Sequence, residues 1–245
     1  MEKITSRKHP LAAHLKKLGT DSTARYERGE FLCDGIKLLR EAVASNCVVT
    51  AALTSRDSAL PTALPNFPTY VASPEVMEYV SPLKSAQDII FACKMPELSV
   101  PISTEQCVVL DGVQDPGNVG TVLRTAAAFG IDRVLLVGNC ADAYNPKTVR
   151  ATMGAIFRQP VTRVTLEELA ALELNLFGAA LGADAQPITE LNLRGASVAI
   201  GSEGRGLSDA VLELCRARVV IPMRQGTESL NAAAAAAILM WEIRK

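Results

Sequence analysis

Residues 108–130 read VVLDGVQDPGNVGTVLRTAAAFG and contain the β-α unit that decides the fold. The apolar run 108–110 predicts a buried strand, which a short loop joins to a helix predicted over 118–129. Asp115 and Pro116 supply a capping carboxylate and a proline suited to the first helical turn. A buried strand that leads directly into a helix is the repeating unit of a parallel α/β sheet.

The same alternation continues to the end of the chain. Short runs rich in Val, Ile or Leu predict further strands at 134–137, 176–181, 198–200 and 219–221. Helical patterns follow most of them, at 147–155, 166–172, 208–215 and 229–243. Continuous apolar strands separated by helices indicate a mainly parallel sheet that is covered on both faces.

A smaller α/β region precedes this one. Strands are predicted at 31–35, 48–54, 69–72 and 88–93, with helices at 36–45 and 75–80. The segment KMPELSVPISTEQ, residues 94–106, contains Pro96 and Pro101 and is typical of a linker. We therefore predict an N-terminal domain over 1–95, a linker over 96–106 and a C-terminal domain over 107–245.

Composition excludes several classes of protein. With 49% hydrophobic and 21% charged residues among 245, the chain has the usage of a globular protein rather than a disordered one. The apolar stretch 232–241 is too short to span a bilayer, so we expect a cytoplasmic protein that does not enter a membrane. Six cysteines lack metal-ligand or redox spacing, which predicts reduced thiols and no metal site.

Three loops that follow predicted strands carry the polar residues of interest, because ligands of parallel sheets bind beyond the carboxyl ends of the strands. In the first loop and its helix, Gly117, Gly120 or Thr121, and Arg124 recur at helical spacing. A narrow helical face with one cation suits a phosphate or a ribose. The alternative is a helix packed closely on the sheet, with Arg124 paired to a surface acid.

The second loop, GSEGRGL at 201–207, has three glycines that permit close approach of the backbone to a ligand. Its spacing matches neither the dinucleotide fingerprint nor a Walker A loop, which argues against an oxidoreductase or a kinase. Glu203 lies inside this turn, and we expect a nearby cation such as Arg124 or Arg205 to be its partner.

The third loop, PMRQGTESLN at 222–231, runs into six consecutive alanines, 232–237. Ser229 is the predicted N-cap of the last helix, which places Asn231 in its first turn. Alanines have little bulk, so this helix can lie close to the sheet or form a subunit interface.

In this order the three segments resemble the signature motifs of the SpoU-type (SPOUT class) RNA 2′-O-ribose methyltransferases. The matching stretches are DGVQDPGNVGTVLRTAAAFG, VAIGSEGRGLS and VVIPMRQGTESLNAAAAAAIL. The start of the chain, ITSRKHPLAAHLKKL and GEFLCDGIKLLREA, looks like the L30e-like RNA-binding domain of the rRNA-modifying branch. Ser202 departs from the asparagine that many relatives carry at its position, and serine is also tolerated there.

The resemblance implies a deep trefoil knot in the C-terminal domain, a homodimer, and S-adenosylmethionine as cofactor. The residues that it places against the cofactor are Leu181, Gly182, Gly201, Ile221, Met223 and Leu230. The polar positions that it marks as catalytic are Asn118, Arg124, Glu203, Ser229 and Asn231. We expect Arg124 to stabilise the developing 2′-alkoxide.

The resemblance also implies an RNA substrate, for which we expect 23S ribosomal RNA. A basic cluster near the N-terminus then reads as phosphate contacts rather than as a solvated terminal helix: Arg7, Lys8, Lys16, Lys17 and Arg25. Two alternatives remain, the same reaction on tRNA and a non-catalytic ribosome assembly factor that keeps the fold.

Overall fold

The computed structural model describes residues 2–56, 66–97, 100–224, 226 and 229–245. Packing divides the chain into two compact units. The first comprises Met1–Glu97 and Asp142–Arg158, and the second comprises Leu98–Ala141 and Gln159–Lys245. The chain thus passes between the units three times, and the segment 142–158 packs with the first unit although it lies within the predicted domain 107–245. The functional domains 1–95 and 107–245 stay a prediction.

Both units combine strands with helices. The strands are β1 Glu2–Ile4, β2 Glu30–Asp34, β3 Val49–Thr54, β4 Thr69–Ala72, β5 Ile89–Lys94, β6 Cys107–Asp111, β7 Arg133–Val137, β8 Val161–Arg163, β9 Leu176–Ala179, β10 Gln186–Pro187, β11 Ser197–Gly201 and β12 Ala217–Val220. The helices are α1 Pro10–Thr20, α2 Ser22–Arg28, α3 Ile36–Ala44, α4 Pro74–Val80, α5 Pro116–Phe129, α6 Pro146–Ala151, α7 Leu166–Ala171, α8 Asp209–Glu213 and α9 Ala232–Arg244. Across the described ranges, none of these helices combines the length and hydropathy needed to cross a membrane.

The first unit contains a five-stranded mixed sheet in the order β1-β4-β3-β5-β2. Successive side chains of β2 point to opposite faces of this sheet. Leu32 belongs to the buried cluster that includes Leu15 of α1 and Val76 of α4. Phe31 instead packs on Tyr144 and Phe157, with ring centroids 5.0 and 5.9 Å away. The segment 142–158 therefore completes one apolar face of the first unit.

A buried ion pair fastens the start of this segment. Arg25 is 3% exposed, and its Nε and Nη2 donate to Asp142 Oδ2 at 2.9 and 2.6 Å. Its Nη1 donates to the carbonyl oxygen of Leu18 at 2.7 Å. Because the guanidinium is buried and its donors are engaged, the structure removes Arg25 from the predicted RNA surface.

The second unit contains a seven-stranded sheet in the order β10-β12-β9-β11-β6-β7-β8, and every neighbouring pair is parallel. This confirms the predicted parallel sheet. Its core includes Val109, Leu135 and Ala199, one from each of three adjacent strands. Helix α9 packs on α5 and on β11. The trefoil knot is a property of the chain path that strand order alone does not establish, so it stays a prediction.

Most predicted elements occur within a few residues of their predicted ends, and the differences have local causes. The helix predicted at 147–155 ends at Ala151, because Met153 and Gly154 have φ angles of +50° and +96° that a helix cannot continue through. The three-residue edge strand β8 escaped prediction because three residues are too few for a periodic pattern.

The contact of Phe31 with the segment 142–158 predicts a large cost of truncation. Phe31→Ala leaves a cavity at a fully buried site, so we expect the free energy of unfolding to fall by about 3–5 kcal/mol. Urea unfolding followed by circular dichroism measures this. Val48→Ala, at an exposed position of the same unit, should change it by less than about 0.5 kcal/mol. Equal effects of the two substitutions would contradict the packing.

Candidate active site

The three polar loops meet because the strands before them are parallel. Strands β11 and β6 pair with Gly201 opposite Asp111, so both chains leave the sheet at the same edge. From Asp111 a short loop leads to α5, whose N-cap is Asp115 as predicted. The Asp115 carboxylate accepts a hydrogen bond from the backbone N–H of Asn118 at 2.8 Å, which sets Asn118 in the first turn.

Asn118 joins all three loops through its side-chain amide. Its Nδ2 donates to Oε1 of Glu203 in a short hydrogen bond, and its Oδ1 accepts from Nδ2 of Asn231 at 3.0 Å. The Oδ1 of Asn231 accepts the backbone N–H groups of Ala233 and Ala234 at 3.0 and 3.3 Å. These two bonds require Asn231 to donate through Nδ2, so the donors and acceptors of the chain of amides are mutually consistent.

Two of the predicted local roles are wrong. The N-cap of α9 is Asn231, not Ser229, because the helix begins at Ala232. Ser229 is exposed and has no part in capping. The partner of Glu203 is the Asn118 amide rather than a cation. Within the described part of the chain, the side chains of Arg124 and Arg205 form no ion pair or hydrogen bond.

The glycine loop, residues 201–207, folds back on itself. Ser202 and Gly206 exchange backbone hydrogen bonds, with N···O distances of 3.2 and 2.8 Å. A Cβ atom built on Gly201 would lie 1.9 Å from the carbonyl carbon of Gly206. Glycine is therefore required at 201, where the backbones come closest.

A cavity of about 530 Å³ opens between the carboxyl ends of β9, β11 and β12 and the start of α9. Residues predicted to line a cofactor pocket contribute to its wall: Leu181, Gly201, Ile221, Met223 and Leu230. Glu203 and Ser229 also line it, and Gly182 does not. A concave, mostly aliphatic cavity of this size with a few polar groups is typical of a site for a small organic molecule.

The second unit contains the buried thiol of Cys140 and the half-buried thiol of Cys215. Cys140 follows β7 and Cys215 precedes β12, and burial raises the pKa of both thiols, that of Cys215 to about 11. Both are therefore protonated at neutral pH and poor nucleophiles. In the ranges that the structure describes, no group of His, Cys, Asp and Glu could hold a metal ion. The polar groups at the carboxyl edge of the sheet therefore include the exposed Arg124 and Arg205, the carboxylate of Glu203, the amides of Asn118 and Asn231, and the hydroxyls of Ser202 and Ser229.

In the first unit, α1 and the segment before it bring two of the predicted RNA-binding cations over one ring. Arg7 Cζ and Lys16 Nζ lie 5.7 and 5.4 Å from the centroid of Tyr79 in α4. Arg7 also pairs with Glu75 at 3.1 Å, and Lys17 lies 3.9 Å from Asp21.

Lys8 is exposed, and its side chain has no partner among the described residues. Tyr79 was not predicted, because a single tyrosine in a short helix gives no signal.

Known proteins similar to this chain are RNA methyltransferases. The SpoU rRNA Methylase family matches residues 105–241. The 23S rRNA (guanosine(2553)-2′-O)-methyltransferase RlmP of Bacillus subtilis is 35% identical over 251 residues, which cover 100% of both chains.

Two solved structures resemble the chain over almost its whole length. The AdoMet-bound rRNA methyltransferase from Sinorhizobium meliloti is 25% identical, with a TM-score of 0.85 and coverage of 99% and 97% of the two chains. A putative RNA methyltransferase of the TrmH family from Porphyromonas gingivalis is 32% identical, with a TM-score of 0.83 and coverage of 95% and 96%. The predicted α/β fold class of the SpoU type is thereby confirmed.

The tight loop predicts which glycine can be replaced. Gly201→Ala forces the backbone at Gly206 to move, so we expect the free energy of unfolding to fall by about 3 kcal/mol, measured by urea unfolding. Gly204→Ala is the matched control, because a Cβ there meets nothing within 4 Å. A Gly201→Ala protein as stable as Gly204→Ala would contradict the close approach of the two backbones.

Proposed function

Because the chain belongs to the SpoU rRNA methylase family, we propose that it is an enzyme that methylates a ribose 2′-hydroxyl of 23S ribosomal RNA, with S-adenosylmethionine as donor. The observation that carries the proposal is the hydrogen-bonded set Asn118, Glu203 and Asn231 at the edge of an aliphatic cavity. A ribosomal substrate also implies that the protein works in the cytoplasm.

The cavity fits the proposed cofactor in size and chemistry. When bound, S-adenosylmethionine supplies an electrophilic methyl group. The aliphatic side chains of Leu181, Ile221 and Leu230 offer the apolar surface that an adenosine ring needs. Because Gly201 has no side chain, the backbone of Gly206 can pack directly against the end of β11 at the cavity wall. The lining also contains the polar residues Ser202, Glu203, Arg205 and Ser229, which can orient a ligand.

Arg124 is the residue that we assign to the reacting oxygen. It lies on α5, the helix whose first turn carries Asn118, and it is exposed. An arginine stays protonated at any working pH, so it stabilises negative charge on the 2′-oxygen rather than accepting its proton. Because no described protein group engages Arg124, its planar guanidinium is free to meet RNA. Asn118, itself bonded to Asn231, fixes the orientation of Glu203 in the same proposed site.

The assignment to Arg124 predicts a defect in rate rather than in cofactor binding. Arg124→Lys keeps the charge but loses the planar fork, so we expect kcat to fall on the order of a hundredfold. The Kd for S-adenosylmethionine, measured calorimetrically, should stay within about twofold, since Arg124 does not line the cavity. Arg194→Lys, at another exposed arginine of the same unit, is the control. Full rate in Arg124→Lys would refute the assignment.

The substrate class is tested by transfer of labelled methyl to unmodified 23S rRNA, tRNA and ribosomal subunits, followed by nucleoside digestion. The proposal expects a 2′-O-methylnucleoside from the ribosomal pools alone. Product from tRNA instead would favour the alternative that the enzyme modifies tRNA. Cofactor binding without transfer to any pool would favour the assembly-factor alternative, and absence of binding would refute the function.

We also propose that the surface of α1 and α4 around Tyr79 binds RNA phosphates through Arg7, Lys8, Lys16 and Lys17. The ring of Tyr79 is half-buried and packs on the core of the first unit, so it can hold Arg7 and Lys16 in place while their charges attract phosphates. The proposed surface lies on the face of the first sheet that Leu32 supports, opposite the face covered by the segment 142–158.

Neutralising this surface should weaken RNA binding without changing sequence preference. For Arg7→Gln, Lys8→Gln and Lys16→Gln combined, we expect the slope of log K against log[salt] to become shallower by about 0.7–0.9 for each phosphate that the protein no longer neutralises. Filter binding at several salt concentrations measures it. The matched control neutralises Lys37, Arg40 and Lys84, three exposed cations elsewhere in the first unit. An equal change in slope for both triples would contradict a localised surface.

For the homodimer, we propose a contact through α9. Trp241 is 57% exposed and packs at 5.9 Å on Phe129 of α5, and Ile238 is exposed one turn earlier. Ala232, Ala233 and Ala236 face inward together with the larger residues Leu239, Met240 and Ile243, so one face of α9 packs on its own unit while Ile238 and Trp241 stay on the outer face. Exposed large apolar side chains on one face of a helix are typical of an interface between subunits.

The dimer contact predicts the effect of a charge on α9. Trp241→Glu should yield a monomer in sedimentation equilibrium at concentrations where the parent protein is a dimer, because a carboxylate would be desolvated at the interface. Val100→Glu introduces the same charge at a position that is 81% exposed outside α9 and should leave the mass unchanged. A monomeric parent protein, or a dimeric Trp241→Glu variant, would contradict the proposed contact.

A further inference from the structure

We infer that Asp111 is a positioning residue: its carboxylate holds the end of the glycine loop and thereby sets the wall of the cavity and the place of Glu203. The inference rests on the proposed function. Asp111 is the last residue of β6, an interior strand of the seven-stranded sheet, and is 9% exposed. Its register partners are Gly201 of β11 and Val137 of β7.

The carboxylate makes one long-range hydrogen bond. Asp111 Oδ2 accepts the backbone N–H of Ser208 at 2.7 Å, a contact between residues 97 positions apart. Ser208 follows the glycine loop directly and is also the N-cap of α8, since its Oγ accepts the N–H of Val211. An N···O distance of 2.7 Å is that of a well-formed hydrogen bond, and its acceptor lies in the packed interior of the unit. This hydrogen bond therefore fixes the point at which the loop returns to the body of the unit.

The glycine loop is attached to the rest of the unit by several kinds of contact, which differ in whether they fix its direction. The loop starts from β11, and its Ser202–Gly206 pairing fixes its internal shape but not its direction. Leu207 is buried in an apolar cluster, which is a contact without direction. The hydrogen bond from Ser208 to Asp111 is directional, and with the bond of Glu203 to Asn118 it sets how the preformed turn is tilted over the cavity.

Asp111 is linked both to α5, which carries Asn118, and to the glycine loop, which carries Glu203. Through residues 112–115 it leads into α5, and through Ser208 it holds the loop. The Asn118–Glu203 hydrogen bond closes this circuit. A change at Asp111 would alter the separation of both partners at once, although Asp111 does not line the cavity itself.

The position of the accepting atom, not its charge, is what this role requires. Asparagine has the same length and presents an Oδ1 acceptor, so Asp111→Asn should keep the loop in place. Glutamate keeps the charge but is longer by one methylene group, which displaces Ser208 in a packed interior. Asp111→Ala leaves the N–H of Ser208 without its partner. A residue that acts through its charge would give the opposite order, with glutamate active and asparagine inactive.

The test measures the Kd for S-adenosylmethionine calorimetrically and kcat with the RNA substrate for all three variants. We expect Asp111→Ala and Asp111→Glu to raise Kd and to lower kcat, each on the order of tenfold, because an unsatisfied N–H shifts the loop. Asp111→Asn should stay within about threefold of the parent in both quantities. Asp209→Asn, which removes an exposed carboxylate from the first turn of α8, is the control and should change neither.

A double-substitution cycle tests whether Asp111 acts through Glu203. Asp111→Ala should reduce kcat less in a Glu203→Gln background than in the parent, since the displaced carboxylate is already gone. A lowered melting temperature with unchanged Kd and kcat, or activity in Asp111→Glu but not in Asp111→Asn, would overturn the inference. Should Asp111→Ala fail to fold, the order of the Asn and Glu variants still decides. A parent protein that binds no cofactor would refute the proposed function, whereas unaltered binding and kcat in the variants refute this inference alone.

Discussion

Parallel pairing of β6, β11, β9 and β12 is the constraint on which the site depends. In a parallel sheet every carboxyl end lies at the same edge, so loops distant in sequence are delivered to one place. The register of Gly201 opposite Asp111 then fixes the relative height of the glycine loop and α5. The hydrogen bonds of Asn118 to Glu203 and to Asn231 are possible only because these three loops share that edge.

The sequence predicted the parallel sheet because its signals are local and periodic. Apolar runs and the Asp115–Pro116 cap can be read within a window of about fifteen residues, and the structure places the strands and α5 accordingly. The start of α9 could not be settled in this way. Ser229 and Asn231 are both good N-caps, and the choice of Asn231 follows its bond to Asn118, which lies 113 residues away.

The misassigned partners share one physical cause. Charge alone favours an arginine beside Glu203 and an RNA phosphate beside Arg25, because pairs of opposite charge attract at any sequence separation. Which pair forms depends on which groups the fold brings together. Glu203 is bonded to the side-chain amide of Asn118, and Arg25 is paired with Asp142, which lies 117 positions away in the sequence. Long-range contacts of this kind leave no mark in composition or spacing, so they became known only from the fold.

The triple passage of the chain between its two units has a consequence for synthesis. The first unit receives Tyr144 and Phe157 against Phe31 only after residues 98–141 of the second unit have been made. At about 5–20 residues per second, the apolar face of the nascent first sheet waits several seconds for its cover. During that interval Phe31 lacks its partners from the segment 142–158, so the first unit completes its packing only after part of the second unit has been made.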